Sequence, residues 1–222
     1  MQFSKEDLFC YQSGSDVPLE DRHKILDDIE RIMSTNWAFS QRHWSDEDSP
    51  FHPEFGIILT VRDGQCLAYN ICKRLEINGR AILYHAGSAV HSKCHGMGIY
   101  GLMTRKMLEA EHSVSGTKPL YLSWRTRNPL IWIFNASLCS SVIPSPLGSV
   151  EASELDKLVR QIATTLYPED TLETPSMIMP DAYAHLSERD RNYAKADQSI
   201  VQWFADALPN PANAFMCLGR LK

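Results

Sequence analysis

Ala89-Val90-His91-Ser92-Lys93-Cys94-His95-Gly96-Met97-Gly98-Ile99-Tyr100-Gly101-Leu102-Met103 runs from an extended segment through a glycine turn into a helix, and the rest of the chain is organised around that junction. Upstream, Ala81 to Val90 reads as a strand. Downstream, Ile99, Leu102, Met103, Lys106, Met107 and Ala110 recur at helical spacing. Gly96 and Gly98 let the backbone approach a ligand with no Cβ in the way, and the first free N–H groups of the following helix point at it. Phosphate is the usual guest of such a terminus.

On the N-terminal side, Gly56 to Val61 and Cys66 to Cys72 are expected as strands. They are joined by Arg62-Asp63-Gly64-Gln65, in which Asp-Gly signals a hairpin. A second hairpin turns at Asn78-Gly79, so three consecutive antiparallel strands lead into the glycine turn. On the C-terminal side, Pro119 to Arg127 reads as a strand, and Asn128-Pro129 then opens a helix over Leu130 to Asn135. Asn suits the cap and Pro the first turn. Further out, Leu8 to Tyr11 is a first strand, and a helix with Ile25, Ile29 and Ile32 on its apolar face ends near Ser34. Residues 36–48 mix aromatics with charges without a clean period, which suits a mobile wall over a site. Past residue 140, Pro144 to Gly148 is a turn or linker, Val150 to Leu166 an amphipathic helix, and Tyr167 to Pro180 is rich in Pro, Thr and Glu and partly irregular. Asp197 to Leu208 is helical, and Ala214 to Leu218 is a closing strand.

At 222 residues and 44% hydrophobic content the chain can bury a substantial core, and the length favours a single domain over 1–222, with 141–222 a less typical C-terminal elaboration. A net charge of −5 gives no electrostatic case for nucleic acid or an anionic membrane surface. No apolar run approaches the ~20 residues that span a bilayer, and the N-terminus lacks a signal-peptide core. The expectation is a soluble cytoplasmic protein. Its six cysteines are scattered, without a Cys-x-x-Cys pair, and read as reduced thiols. His91, Cys94 and His95 crowd together, but a fourth ligand is not evident, so no metal is expected.

The junction resembles motif A of the GNAT superfamily of acyl-CoA N-acyltransferases. Its usual form is a strand ending in Val, then His-Pro-x-x-Arg-Gly-x-Gly-(Ile/Leu)-(Gly/Tyr), then a helix. Val90, His91, Gly96, Gly98 and Ile99 fall in register. Ser92 replaces the common Pro, His95 stands where Arg or Gln is expected, and Tyr100 replaces a small residue. The resemblance implies an α/β (α+β) fold with a mixed, mostly antiparallel central sheet and helices on both faces. It implies acetyl-CoA or another acyl-CoA as co-substrate, with Ser88 and Val90 on the strand, and His95, Gly96, Met97, Gly98, Ile99 and Tyr100 as the pyrophosphate cradle. Asn128 corresponds to a family Asn near the pantetheine, on the strand that splays from its neighbour. That Asn is usually followed by a Tyr that protonates the departing thiolate. Here the position falls at Asn135 or a neighbour, and no tyrosine occurs between Tyr121 and Tyr167.

Direct N-acylation needs a neutral amine, an acyl carbonyl held in line, and a fate for the thiolate; positioning does most of it. The carbonyl is expected to be polarised by a backbone N–H near Val90. His85 is the candidate base or water-relay residue, with Tyr84 and Ser123 as alternatives for acid or orienting roles. Because a strand alternates, Tyr84 and His85 face opposite ways. Trp37 and Trp44, with His43 and His52 nearby, are candidates for the acceptor side, as are Trp124 and Arg125, since aromatic rings give flat walls and an arginine pairs with carboxylate or phosphate. The acceptor is expected to be a small-molecule or peptide amine, and a homodimer is left open. Two other classes stay open: a non-catalytic acyl-CoA sensor on the same scaffold, and an interaction protein in which the glycine turn is only a loop.

Overall fold

Both expected hairpin turns form as the sequence prescribes. In the computed structural model, which describes residues 3–39, 44, 50–115, 121–148, 152–188, 193–194 and 196–222, Asp63, Gly64, Asn78 and Gly79 all take positive φ (52°, 73°, 53° and 72°). Those are the values a two-residue hairpin of right-handed twist requires. By contacts the chain divides into two units, Met1–Leu75 with Leu83–Pro119, and Glu76–Ile82 with Leu120–Lys222.

The first unit holds β1 (Leu8–Tyr11), α1 (Leu19–Ser34), β2 (Trp37–Phe39), β3 (Phe55–Arg62), most of β4 (Gln65–Ile77) and β5 (Arg80–Val90), and α2 (Ile99–Ser115). Its strands lie in the order β1-β3-β4-β5, with β1 antiparallel to β3 and β3 to β4. Leu59 pairs with Tyr69 and Ile57 with Ile71, and these side chains are buried. Helix α1 turns Ile25, Leu26, Ile29, Ile32 and Met33 inward at the spacing that its sequence announces. Gly14 packs so tightly that a Cβ there would stand 2.0 Å from the Pro50 carbonyl oxygen.

The second unit contains β6 (Tyr121–Thr126), α3 (Pro129–Ser137), β7 (Cys139–Ile143), α4 (Ala152–Leu166), β8 (Ile178–Met179), β9 (Leu186–Glu188), α5 (Gln198–Ala207) and β10 (Ala214–Leu221). Strand β10 lies between β6 and β7, antiparallel to both, and β8 pairs with its first residues. Helix α4 buries Leu155, Leu158, Val159, Ile162 and Ala163. The Trp203 ring on α5 stacks on Phe215 at 4.8 Å and meets Trp132 edge-on at 5.3 Å. The tip of the β4–β5 hairpin is held here too, with Arg80 paired to Glu154 and Asn78 bonded to Gln161.

These pairings are antiparallel and both units carry helices, so the α+β, mostly antiparallel class expected from the sequence is the one observed. The closing strand runs on to Leu221, further than its apolar run suggested, because Gly219 and Arg220 continue to pair with β6 and β7. Strand β7 was not expected: Cys-Ser-Ser-Val-Ile is short and half polar, and β10 supplies the ladder that fixes it. Of residues 36–48, Trp37–Phe39 is a short strand, while 40–43 and 45–48, His43 included, lie outside the described residues. Five of the six cysteines are buried, and burial pushes the thiols of Cys66, Cys72 and Cys139 up to about 12. Among the described residues no helix is long and apolar enough to cross a membrane.

Candidate active site

Strand β5 ends at Val90, a single 3-10 turn covers Ser92–Cys94, and the chain then passes through Gly96 (φ 76°) and Gly98 (φ 75°) into α2. A Cβ on either glycine would meet nothing within 4 Å. Glycine is therefore demanded here by the left-handed backbone, and the space beside the turn is open. Buried Cys94 and Ile99 anchor the two sides of the turn, while Met97 between the glycines stays exposed. The Leu102 N–H closes the first helical turn on the Gly98 carbonyl at 3.1 Å. Gly98 therefore stands at the cap position, where it has no side chain to offer the first amides of α2.

The strand end is fixed by residues that sequence reading did not single out. The Val90 carbonyl oxygen accepts from Asn36 Nδ2 at 3.0 Å and from His95 Nε2 at 3.0 Å. A carbonyl only accepts, so His95 Nε2 carries the hydrogen. Thr35 Oγ1 accepts the Ser92 N–H at 3.0 Å, and the Cys94 N–H donates to the His91 carbonyl at 2.8 Å. Asn36 and Thr35 follow α1 directly, so the end of that helix brackets the end of β5. Burial lowers the His91 pKa, and the positive charges of Lys93, Arg31 and His95 lower it further.

His85 on β5 is 6% exposed, and its ring stacks over that of Tyr100 at 5.5 Å. Tyr100 Oη lies 3.1 Å from His85 Nδ1. The Tyr100 side chain therefore turns inward to the strand, and only its backbone is left at the start of α2. Burial alone lowers the His85 pKa to about 4, so the imidazole is neutral at pH 7. Tyr84 is buried and Ser88 half-buried on the same strand. Trp37 is half-buried on β2, and Trp44 meets Phe55 edge-on at 5.8 Å.

The other expected residues lie in the second unit. Ser123 is fully buried and donates to the Cys217 carbonyl at 2.9 Å, a bond that ties β6 to β10. Trp124 is 1% exposed, a core residue of that unit. Asn128 Oδ1 accepts the Leu130 N–H at 2.9 Å and caps α3 as its sequence foretells. Arg125 lies between two rings that sequence reading did not connect with it, 4.4 Å over Tyr167 and 5.1 Å over Tyr183, with Asp170 at 3.8 Å. Burial raises the Tyr183 pKa, and its hydroxyl donates to the Arg125 carbonyl at 3.1 Å. Among the described residues no group of three or more His, Cys, Asp or Glu side chains is placed to hold a metal ion.

No family model matches the chain, and no curated protein matches it. Solved structures similar to it include several acyltransferases. An acyl-CoA N-acyltransferase from Pseudomonas aeruginosa aligns over 61% of this chain and 87% of its own at 15% identity and a TM-score of 0.44. The ribosomal-protein-S18-alanine N-acetyltransferase of Escherichia coli aligns over 64% and 87% at 16% identity and 0.44. An acetyltransferase of the GNAT family from Streptococcus pneumoniae aligns over 61% and 86% at 12% identity and 0.41.

Proposed function

We propose that the chain transfers an acyl group, acetyl in the first instance, from acyl-CoA to an amine by direct attack. The observation that carries this reading is the start of α2, a glycine-capped helix entered through two left-handed glycines with open space beside them. A helix start of this kind suits a pyrophosphate. The cradle comprises the backbone from His95 through Tyr100, with the Val90 and Ser88 backbone along the pantetheine arm. The acceptor is a small-molecule or peptide amine, with Trp37 and Trp44 as candidate contacts. A single acyltransferase domain acting in the cytoplasm belongs to the same reading.

In the reaction the amine nitrogen bonds to the acyl carbon, the carbon–sulfur bond breaks, and the nitrogen sheds a proton. His85, neutral at pH 7, is the base or relay for that proton, with Tyr84 as the alternative acid or orienting group. One feature favours a second reading, an acyl-CoA sensor without turnover: no tyrosine occurs between Tyr121 and Tyr167 to protonate the thiolate.

Isothermal titration with acetyl-CoA and CoA, beside a thermal-shift panel of longer acyl-CoAs, tests the cofactor. Binding in the micromolar range, about −8 kcal/mol, is expected. An amine screen by thiol release then separates enzyme from sensor. Replacement His85→Ala is expected to retain CoA affinity and lose turnover; equal activity removes His85 from the mechanism.

A further inference from the structure

Strands β7 and β10 pair side by side and antiparallel, yet the chain takes residues 144–213 to pass from one to the other. A hairpin turn makes such a connection in a few residues. The longer route carries α4, β8, β9 and α5, and within the second unit it lines a cavity of about 560 Å³. Small-molecule pockets span about 300–1,000 Å³.

The floor of the cavity is apolar. Phe215 and Met177 are 1% and 3% exposed, and Ile143 at the end of β7 is buried as well. Trp203 gives a flat wall, its ring stacked on Phe215 at 4.8 Å with 16° between the planes. Pro144 is held by the hydrogen bond that Trp132 Nε1 donates to its carbonyl at 3.1 Å. Met177 takes φ 59°, a left-handed backbone that is costly for a long side chain. The Met216 N–H secures it by donating to the Met177 carbonyl at 2.8 Å. These walls need no ligand to set them.

The rim is charged. Asp156 and Arg160, one turn apart on α4, line the same cavity. Arg160 Nε donates to Asp156 Oδ2 at 2.9 Å and Nη2 to Oδ1 at 3.1 Å, a fork that leaves Nη1 outside it. Both side chains are partly exposed, so the pair adds little to stability and opens at little cost.

We propose that this cavity binds a small zwitterion with a large apolar side chain, an α-amino acid such as phenylalanine. Its carboxylate bonds to Arg160, its ammonium to Asp156, and its side chain lies against Trp203 and Met177. Charge decides among occupants. A lone anion on Arg160 faces the Asp156 carboxylate, and a lone cation on Asp156 faces the guanidinium, so each meets a like charge. A ligand with both signs leaves neither group uncompensated. Because the two protein charges touch, the ligand's charges must also stand close together, as they do on either side of an α-carbon. Every residue of the site belongs to the second unit and none to the glycine turn, so the proposal is independent of acyl transfer.

Calorimetry on the full chain tests it with L-phenylalanine, 3-phenylpropanoate, phenethylamine and benzyl alcohol, which share a ring and differ in charge. L-Phenylalanine is expected to bind with a Kd of about 0.1–1 mM, and the other three about tenfold more weakly or worse. No binding of L-phenylalanine at about 10 mM, or equal binding of any of the other three, overturns the proposal. The indole N–H of Trp203, assigned in 1H–15N spectra by its loss in Trp203→Phe, is expected to shift on titration; binding that leaves it unmoved overturns the site. Replacements Arg160→Gln and Asp156→Asn are each expected to weaken L-phenylalanine about tenfold with Tm within about 2 °C of wild type, and unchanged affinity overturns the charge assignment. Ala207→Leu, which puts bulk into the cavity from α5, is expected to abolish binding, and retained affinity overturns the site. Acetyl-CoA titrated into the same protein decides the acyltransferase reading separately.

Discussion

Helices α2 and α3 both begin directly after a strand, and they begin in opposite ways. At α3 the Asn128 side chain takes the Leu130 N–H, Pro129 removes another donor, and buried Trp132 fills the first turn. At α2 the cap position is Gly98, which like Gly96 before it is left-handed, and the side chains below the first turns are a buried histidine and an asparagine. The first start satisfies its donors with its own side chains, and the second offers them none. On the acyltransferase reading proposed above, that uncapped start is what leaves the α2 terminus open to an anion.

The sharpest way to break the contrast is Gly98→Glu, which puts bulk and negative charge where the anion is proposed. Loss of detectable CoA binding in a folded variant is expected in the calorimeter, and unchanged affinity would sink the cradle. Next is the histidine beneath α2. Its folded pKa, about 4, lies below the unfolded value of 6.5, so the unfolded chain binds the extra proton between those limits. Stability contributed by the neutral ring is complete above about pH 6.5 and is lost as pH falls toward 4, by about 3 kcal/mol in all. Urea unfolding of wild type and His85→Asn across that range should show this slope in the wild type only.

At α3, Asn128→Ala is expected to cost about 1 kcal/mol through the lost cap, read in the same unfolding experiment. A parallel fall in CoA affinity would show that Asn128 also reaches the cofactor, and unchanged affinity would confine it to the helix start. Smallest is His95→Ala: the Val90 carbonyl keeps Asn36, so about 0.5–1 kcal/mol is expected from the lost bond. Asn36→Ala beside it asks which of the two donors sets the strand end.

Local rules carried the sequence reading furthest where the chain uses strong local signals. Asp63-Gly64 and Asn78-Gly79 dictate their turns, Asn128-Pro129 its helix start, and the α1 stripe its buried face. What escaped was set by distant partners. Strand β7 exists because β10 offers it a ladder. The roles of Thr35 and Asn36 depend on α1 ending beside β5, which no spacing in the sequence reveals. Position alone did not tell which way the Tyr100 side chain turns; it lies against the buried ring of His85.

The buried cysteines described with the fold have an experimental consequence. Coenzyme A release is read most simply with a disulfide reagent, and a protein rich in reactive thiols masks that signal. Here Cys66, Cys72 and Cys139 are held protonated far above neutral pH and Cys217 is raised well above the ordinary thiol value, while Cys10, half-buried, is also shifted upward. Because the thiolate is the reacting form, these five thiols add little to the background against which one liberated thiol is counted.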